Sequence, residues 1–315
     1  MKTHIAVDIG GTQIRVAVYP AGENRPIQQK RIPTQARGET PLDRLIGLIA
    51  ELWPEEDHVC GIGIAAPGPI DPKLGVIYSA PNIPGWDNLP LRNILRERFG
   101  VEVCLGNDAN LAALGEWKYG AGQGHQHVLY LTVSTGIGGG VISDGHLLLG
   151  AHGLAAELGH VTVLPDGPVC SCGQRGHVEA VASGTAIGRY VADQLDQGTP
   201  SILHEVVAQT GRYPTGRDIY EAAKQGDSLA ESALARAGTY IGYMLADYLH
   251  IFNPSIIILG GGVSRSGPFL IEPLKAAMAE RLISPEYLNG LVITTAALGD
   301  DAGLLGALAL AVNPE

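Results

Sequence analysis

The stretch that decides the fold is Ile5-Ala-Val-Asp8-Ile-Gly10-Gly11-Thr12-Gln-Ile-Arg-Val-Ala-Val18. β-Branched residues lie on both sides of Gly10 and Gly11, the two positions free to take positive φ. The pattern therefore predicts a strand, a glycine turn and a second strand. Asp8 ends the first strand beside a turn whose glycines let a phosphate chain approach the backbone. An ordinary hairpin turn accounts for the same two glycines equally well.

The strand and glycine-turn pattern returns at Val128-Leu-Tyr-Leu-Thr-Val-Ser134-Thr135-Gly136-Ile-Gly138-Gly139-Gly140-Val-Ile142. Four glycines and two hydroxyls exceed what a hairpin turn itself requires. Two such turns in one chain therefore favour two phosphate-binding turns that hold the same polyphosphate from two sides.

The rest of the chain alternates between predicted strands and helices. Strands are expected near residues 59–65, 101–105, 255–263 and 291–296, and helices near 42–53, 91–99, through most of 184–250 and from 299 onward. This alternation is typical of sheets covered by helices. We predict an α/β fold of two halves: a small domain at 1–110, completed by a C-terminal helix at 300–315, and a large domain at 111–299 that carries a metal loop.

Composition limits the classes of function. The chain has 315 residues, of which 45% are hydrophobic and 17% charged, so it can bury a large core. A net charge of -11 disfavours nucleic acid as a partner, because phosphate neutralisation needs clustered Lys and Arg. No lysine-containing P-loop motif occurs, and prolines follow Gly61-Ile-Gly63-Ile-Ala-Ala66 where a dinucleotide fold needs a helix. Neither a signal peptide nor a membrane span is visible, which favours a cytoplasmic enzyme.

Asn107 and Asp108 stand where a predicted strand gives way to a predicted helix. Asn and Asp are preferred N-caps at such a junction. A strand-end carboxylate is also where a base would orient a substrate hydroxyl, and in phosphoryl transfer such a base need not be strong. Spacing alone leaves cap and base open.

Four candidate metal ligands lie in one loop, with the spacing His160-x9-Cys170-x-Cys172-x4-His177. Two cysteines separated by one residue rarely meet disulfide geometry, and the other two cysteines lie in apolar runs. Zinc prefers these ligand types. Glu157, His160 and Glu179 around the loop are suited to vicinal hydroxyls of a sugar, although a solvated loop would look the same. Asn82 likewise reads as a possible turn residue.

Seven segments in order make the chain resemble the ROK family of sugar kinases and repressors, within the actin-like ATPase (ribonuclease H-like) fold and on the glucokinase branch. The segments are Asp-Ile-Gly-Gly-Thr at 8–12, Pro-Asn-Ile-Pro-Gly-Trp at 81–86, Asn-Asp-Ala-Asn at 107–110, Ser-Thr-Gly-Ile-Gly-Gly-Gly at 134–140, Glu-Leu-Gly-His at 157–160, Cys-Ser-Cys-Gly-x-x-Gly-His-x-Glu at 170–179 and Leu-Gly-Gly-Gly-Val at 259–263. The resemblance implies two lobes with nucleotide and sugar in the cleft, and ATP-dependent phosphorylation of glucose at its 6-hydroxyl.

The resemblance also implies site roles. Asp108 is expected to be the catalytic base, and Asp8 to support Mg²⁺. The residues expected to hold the sugar are Asn82, Asn107, Asp108, Glu157, His160 and Glu179. Those expected to hold ATP are Asp8, Gly10, Gly11, Thr12, Thr135, Gly136, Gly138, Gly139, Gly184, Gly260, Gly261 and Gly262.

The family's metal loop carries a third cysteine where this chain has His177. A histidine can fill a tetrahedral zinc position, so we expect structural zinc on His160, Cys170, Cys172 and His177, with the second ring nitrogen of His160 on the sugar.

Two other functions stay open. An N-acetylmannosamine or N-acetylglucosamine kinase shares the same ring-hydroxyl residues. A sugar-responsive repressor is disfavoured, because its DNA-reading segment would precede a motif that here begins at the eighth residue. The resemblance favours a homodimer or homotetramer.

Overall fold

The predicted hairpin opens the first sheet of the protein. In a computed structural model of the chain, which describes residues 1–80 and 82–313, β1 (Lys2–Ile9) pairs antiparallel with β2 (Gln13–Pro20). Pro81, the first residue of the Pro-Asn-Ile-Pro-Gly-Trp segment, lies outside the described residues, as do the last two residues of the predicted 300–315 helix.

The remaining elements follow the predicted alternation. The other strands are β3 (Gln28–Pro33), β4 (His58–Ala66), β5 (Ile70–Asp71), β6 (Val76–Ser79), β7 (Asp87–Leu89), β8 (Glu102–Asn107), β9 (Val128–Val133), β10 (Ile137–Ser143), β11 (His146–Leu147), β12 (Ile256–Gly260) and β13 (Val292–Thr295). The helices are α1 (Pro41–Glu51), α2 (Leu91–Phe99), α3 (Asp108–Tyr119), α4 (Val178–Ala182), α5 (Gly184–Asp196), α6 (Leu203–Thr210), α7 (Gly216–Lys224), α8 (Ser228–Phe252), α9 (Pro268–Arg281) and α10 (Ala302–Val312). The predicted α/β class is confirmed.

The first sheet has the order β3-β2-β1-β4-β8, and β1, β4 and β8 run parallel. Parallel strands end at the same edge of a sheet, and the register confirms this here. Asp8 pairs with Ala65, and Ala66 pairs with Asn107. The carboxylate of the first glycine turn and the Asn107-Asp108 junction therefore lie along one edge of this sheet, which is where ligands bind in open α/β sheets.

Helix α10 packs on the first sheet and on α3 through close backbone contacts. A Cβ at Gly63 would lie 1.9 Å from the Ala307 carbonyl oxygen, and one at Gly306 would lie 1.7 Å from the Leu111 carbonyl oxygen. Only glycine leaves room for backbones this close. The glycines Gly63 and Gly306 are therefore needed for this packing.

A second five-stranded sheet has the order β11-β10-β9-β12-β13, and β5, β6 and β7 form a small third sheet. Helix α8 lies against α9 by the same means as α10 on α3. A Cβ at Gly238 or at Gly242 would stand 2.3 Å from a carbonyl oxygen of α9. None of the helices in the described part of the chain is long and apolar enough to cross a membrane.

The chain packs as two units. Unit 1 comprises Met1–Tyr130, Gly140–Ala156 and Ala296–Glu315, and unit 2 comprises Leu131–Gly139 and Glu157–Thr295. The sequence places the division at residue 110, whereas the packing places it at 130. The physical reason is the α3–α10 contact, which keeps the whole of α3 in unit 1.

A fully buried carboxylate holds the backbone segment that precedes α10. Glu116 on α3 is 0% exposed, and its carboxylate accepts hydrogen bonds from the backbone amides of Ala121 (2.9 Å), Ala297 (3.1 Å) and Leu298 (2.8 Å). These bonds satisfy a charge that would otherwise be costly to bury. Glu116 thereby joins the end of α3 to the segment that leads into α10.

We expect Glu116→Gln to lower the free energy of unfolding by about 2 kcal/mol, because the new NH₂ group would face a backbone N–H donor and leave it unpaired. Urea denaturation measures this change. The control is Glu97→Gln on the exposed face of α2, which should stay within about 0.5 kcal/mol of the parent protein. Equal stability of Glu116→Gln and Glu97→Gln would contradict the anchoring role.

Candidate active site and metal cluster

The first glycine turn is held from two sides. Within the turn, the Gly10 amide donates to the Gln13 carbonyl oxygen at 2.8 Å. From outside, fully buried Thr34 donates its amide to the Thr12 carbonyl oxygen at 2.9 Å and its hydroxyl to the Gly10 carbonyl oxygen at 2.6 Å. Thr34 follows β3 and belongs to no motif, so sequence reasoning missed its role.

Asp8 lies beside this turn in a partly buried, charged environment. Burial raises the pKa of its carboxyl, the Arg15 guanidinium 3.7 Å away lowers it, and Asp301 raises it again. Arg15 also donates to the Asp301 carboxylate and to the Asp300 carbonyl oxygen. The start of α10 thereby places a second carboxylate near Asp8, which the sequence did not mark as a site.

Asn107 and Asp108 lie together at the start of α3. Asn107 is the N-cap, where its Oδ1 accepts from the amides of Ala109 (3.0 Å) and Asn110 (3.2 Å). Its amide nitrogen donates to the Gly68 carbonyl oxygen at 3.3 Å. Asp108 is the first residue of the helix; its side chain is exposed, and its Oδ1 also accepts from the Ala109 amide, at 2.8 Å. Asn107 is therefore the N-cap, and Asp108 stays the candidate base.

Asn82 lies directly against the first glycine turn. The Gln35 side-chain amide donates to the Asn82 carbonyl oxygen at 3.2 Å, and Gly11 faces the Asn82 side chain. A candidate sugar ligand and a candidate phosphate turn are thus neighbours within unit 1.

The second glycine turn is surrounded by the other glycines assigned to ATP. The Gly184 amide donates to the Ser134 carbonyl oxygen at 2.7 Å, and the Thr185 hydroxyl donates to the Thr135 carbonyl oxygen at 2.9 Å. Gly261 has positive φ and approaches Val133 so closely that a Cβ would lie 2.2 Å from its carbonyl oxygen. The structure therefore brings these segments of unit 2 together as one glycine-lined surface.

The four candidate metal ligands converge. The ligand atoms of His160, Cys170, Cys172 and His177 all lie within 4.8 Å of one another. The His160 and His177 Nδ1 atoms are 3.3 Å apart, the Cys172 sulfur is 3.3 Å from the His177 Nδ1, and the Cys170 sulfur is 3.6 Å from the His160 Nδ1. A tetrahedral zinc site with ordinary bond lengths has ligand–ligand edges of about 3.3–3.8 Å. The donor set and its spacing fit a zinc ion.

Each histidine of the cluster presents a ring nitrogen to the other candidate ligands, as metal ligation would require. Both present Nδ1, which leaves the Nε2 atom of His160 directed away from the cluster. Burial, followed by the neighbouring His160, lowers the pKa of His177. The neutral imidazole that ligates metals is thereby favoured.

Glu179 links this cluster to the second glycine turn. Its Oε1 accepts from the Ser171 hydroxyl at 3.0 Å and from the Cys170 thiol at 3.5 Å, and its Oε2 accepts from the Ile137 amide at 3.0 Å. The carboxylate is half-buried. Three candidate features of unit 2, namely the metal cluster, the turn and the sugar carboxylate, are therefore in direct contact.

The segment with Glu157 and His160 is anchored by a residue that no motif marks. The buried Tyr248 hydroxyl on α8 donates to the Leu158 carbonyl oxygen at 2.6 Å, and the His160 amide donates to the Glu157 carbonyl oxygen at 3.1 Å. Glu157 itself is exposed. Tyr248 is distant in sequence, so only the folded chain reveals its contribution.

These features define the class: an α/β protein with two glycine turns, a helix-start carboxylate and a metal-type Cys/His cluster. The model of the ROK family matches residues 4–313, and the chain belongs to this family. A glucokinase from Thermotoga maritima is 39% identical over 309 residues, covering 97% of this chain and 96% of that one.

Solved structures and other relatives agree with the family assignment. The crystal structure of a ROK family glucokinase from Streptomyces griseus, in complex with glucose and AMPPNP, is 38% identical, covers 98% of this chain and 99% of that one, and has a TM-score of 0.81. A xylose repressor from Caldicellulosiruptor bescii is 34% identical over 81% of this chain, which spans 63% of the repressor.

Proposed function

We propose that the chain transfers the γ-phosphoryl group of ATP to the 6-hydroxyl of glucose, giving glucose 6-phosphate and ADP. The observation that carries the proposal is the place of Asp108: its exposed carboxylate stands at the start of α3, directly after the N-cap Asn107 and oriented by the Ala109 amide. The similarity to glucokinases over nearly the whole of both chains supports the same activity.

The reaction is a direct transfer. The sugar 6-oxygen forms a bond to the γ-phosphorus as the bond from phosphorus to the ADP oxygen breaks, and the hydroxyl proton passes to the Asp108 carboxylate. The positive end of the α3 dipole stabilises the charge on Asp108 before transfer. Asn107 has its oxygen committed to the cap, which fixes the geometry of the junction.

Nucleotide binding relies on backbone and cation rather than on a lysine. The turns at Gly10–Thr12 and Thr135–Gly139, with Gly138, are proposed to receive the phosphates, and Gly184 and Gly260–Gly262 the nucleoside. Asp8 is the oxygen ligand proposed for Mg²⁺, which supplies neutralisation of phosphate charge when bound. An acidic protein needs such a cation to hold a polyanion.

Sugar binding is assigned to the residues that the resemblance implies: Asn82, Asn107, Asp108, Glu157, His160 and Glu179. Structural zinc on His160, Cys170, Cys172 and His177 would fix the His160 ring, so that Nε2 meets a sugar hydroxyl. A cytoplasmic location, where ATP is available, and a homodimeric or homotetrameric assembly complete the proposal.

A coupled ADP-release assay across glucose, mannose, fructose, N-acetylglucosamine and N-acetylmannosamine tests the function. Glucose should give the highest kcat/KM. A preference for an N-acetyl sugar would establish the alternative kinase, and binding of sugar without ADP release would establish a sensor or repressor.

We expect Asp108→Asn to lower kcat by a factor of about 10² to 10⁴, because the amide keeps shape and a polar contact but cannot accept the proton. Glucose affinity, measured by calorimetry, should stay within about tenfold. The matched control is Asp193→Asn on the exposed face of α5, which should leave turnover unchanged. An Asp108→Asn variant that retains most of its kcat would refute the base assignment.

Metal analysis of protein purified without added metal should find about one zinc ion per chain. His177→Ala should lower the zinc content and raise the KM for glucose more than the KM for ATP, because the cluster lies on the sugar-binding segment. His177→Cys should retain zinc, and Cys60→Ser, outside the cluster, should not change it. Full activity in a zinc-free preparation would exclude zinc from the sugar site.

A further inference from the structure

Two of the turn glycines, Gly11 and Gly136, lie where the backbone does not adopt positive φ. A left-handed conformation therefore does not explain why these positions are glycine. The sequence marks Gly10 and Gly11 as free to take positive φ, and the structure uses that freedom at neither. Another constraint must explain why Gly11 and Gly136 lack a side chain.

That constraint is a side chain lying across each glycine. A Cβ at Gly11 would stand 2.8 Å from the Asn82 Cβ, and one at Gly136 would stand 2.5 Å from the Glu179 Oε2. Real Cβ atoms essentially never approach other atoms this closely. By contrast, a Cβ at Gly10 would meet only the Gln13 carbonyl oxygen, at 3.5 Å, an ordinary contact.

Two hydrogen bonds hold the backbone at Asn82. The Gln35 amide donates to its carbonyl oxygen at 3.2 Å, and the adjacent Ile83 amide donates to the Ala80 carbonyl oxygen at 2.8 Å. On the other side, Thr34 pins the turn through its hydroxyl. A methyl group at Gly11 would therefore displace Asn82 from its present position.

Glu179 is oriented by the second turn itself. The Ile137 amide, directly after Gly136, donates to the same Oε2 atom that a Cβ at Gly136 would meet. This backbone donor serves the carboxylate instead of a phosphate. A methyl group at Gly136 would push Oε2 off the Ile137 amide, while Ser171 would still hold the other oxygen.

We propose that Gly11 and Gly136 are positioning residues for the sugar. Both are glycine because the Asn82 and Glu179 side chains lie directly against the turns, where a Cβ would displace them. The inference rests on the proposed sugar kinase function. It assigns one glycine of each turn to sugar binding rather than to phosphate binding. Gly10 and Gly138 remain assigned to the phosphates, whereas Gly11 sets the placement of Asn82 and Gly136 that of Glu179.

The test compares Gly11→Ala and Gly136→Ala with the control Gly47→Ala, an exposed glycine of α1 at which a Cβ would meet no atom within 4 Å. Each of the first two should raise the KM for glucose about tenfold or more and change the KM for ATP by less than about threefold, because small displacements of binding groups are costly. Gly47→Ala should leave the KM for glucose within about twofold. A larger rise in the KM for ATP than for glucose in Gly11→Ala or Gly136→Ala would overturn the proposal.

A double variant separates positioning from general damage. In a Glu179→Ala background the displaced carboxylate is gone, so adding Gly136→Ala should not raise the KM for glucose further. Multiplying fold-changes would refute the link. Gly136→Ala displaces only the end of a flexible side chain, so it serves as the test if Gly11→Ala does not fold.

If the proposed function is wrong, the parent protein will release no ADP with any of the sugars, and this result is separate from the KM comparison. The positioning claim would then be measured by hydrogen exchange, which needs no substrate. The Ile137 amide should exchange faster in Gly136→Ala than in the parent protein, since it loses its acceptor. An unchanged exchange rate would contradict the claim.

Discussion

The proposed sugar site depends on the hydrogen bonds that orient the Glu179 carboxylate. One of its oxygens accepts from the Ile137 amide of the second glycine turn, and the other accepts from Ser171 between the two cluster cysteines. A half-buried carboxylate with donors on both oxygens has one favoured orientation. The Glu179 side chain therefore contacts both the candidate metal cluster and the second glycine turn.

Local hydrogen bonds also order the edge of the first sheet where the candidate base lies. Asn107 accepts from the first amides of α3, and the exposed Asp108 carboxylate accepts from the Ala109 amide. Glu116, two turns along the same helix, fixes the segment that leads to Asp301 and so to Arg15 beside Asp8. Three carboxylates of unit 1 thus differ in environment: Glu116 is buried and anchors a backbone segment, Asp108 is exposed at a helix start, and Asp8 lies beside Arg15.

Much of the fold could be predicted from the sequence, because hairpins and helices are local. The two strand and glycine-turn units, the helices around them and the Cys/His cluster follow from short-range patterns. The contacts that tune the site join residues far apart in sequence: Thr34 to the first turn, Tyr248 to Leu158, and Gln35 to Asn82. No spacing encodes them, since tertiary packing brings these residues together. The same packing places α3 with α10, which the predicted division at residue 110 did not anticipate.

Calorimetry distinguishes whether Glu179 binds the sugar or the phosphates. Glucose and a non-hydrolysable ATP analogue would each be titrated into the parent protein and into Glu179→Gln, which keeps the size of the side chain but removes its charge. We expect glucose affinity to fall about tenfold or more while nucleotide affinity changes by less than about threefold. An equal loss of nucleotide affinity, or unchanged glucose affinity, would contradict the assignment of Glu179 to the sugar.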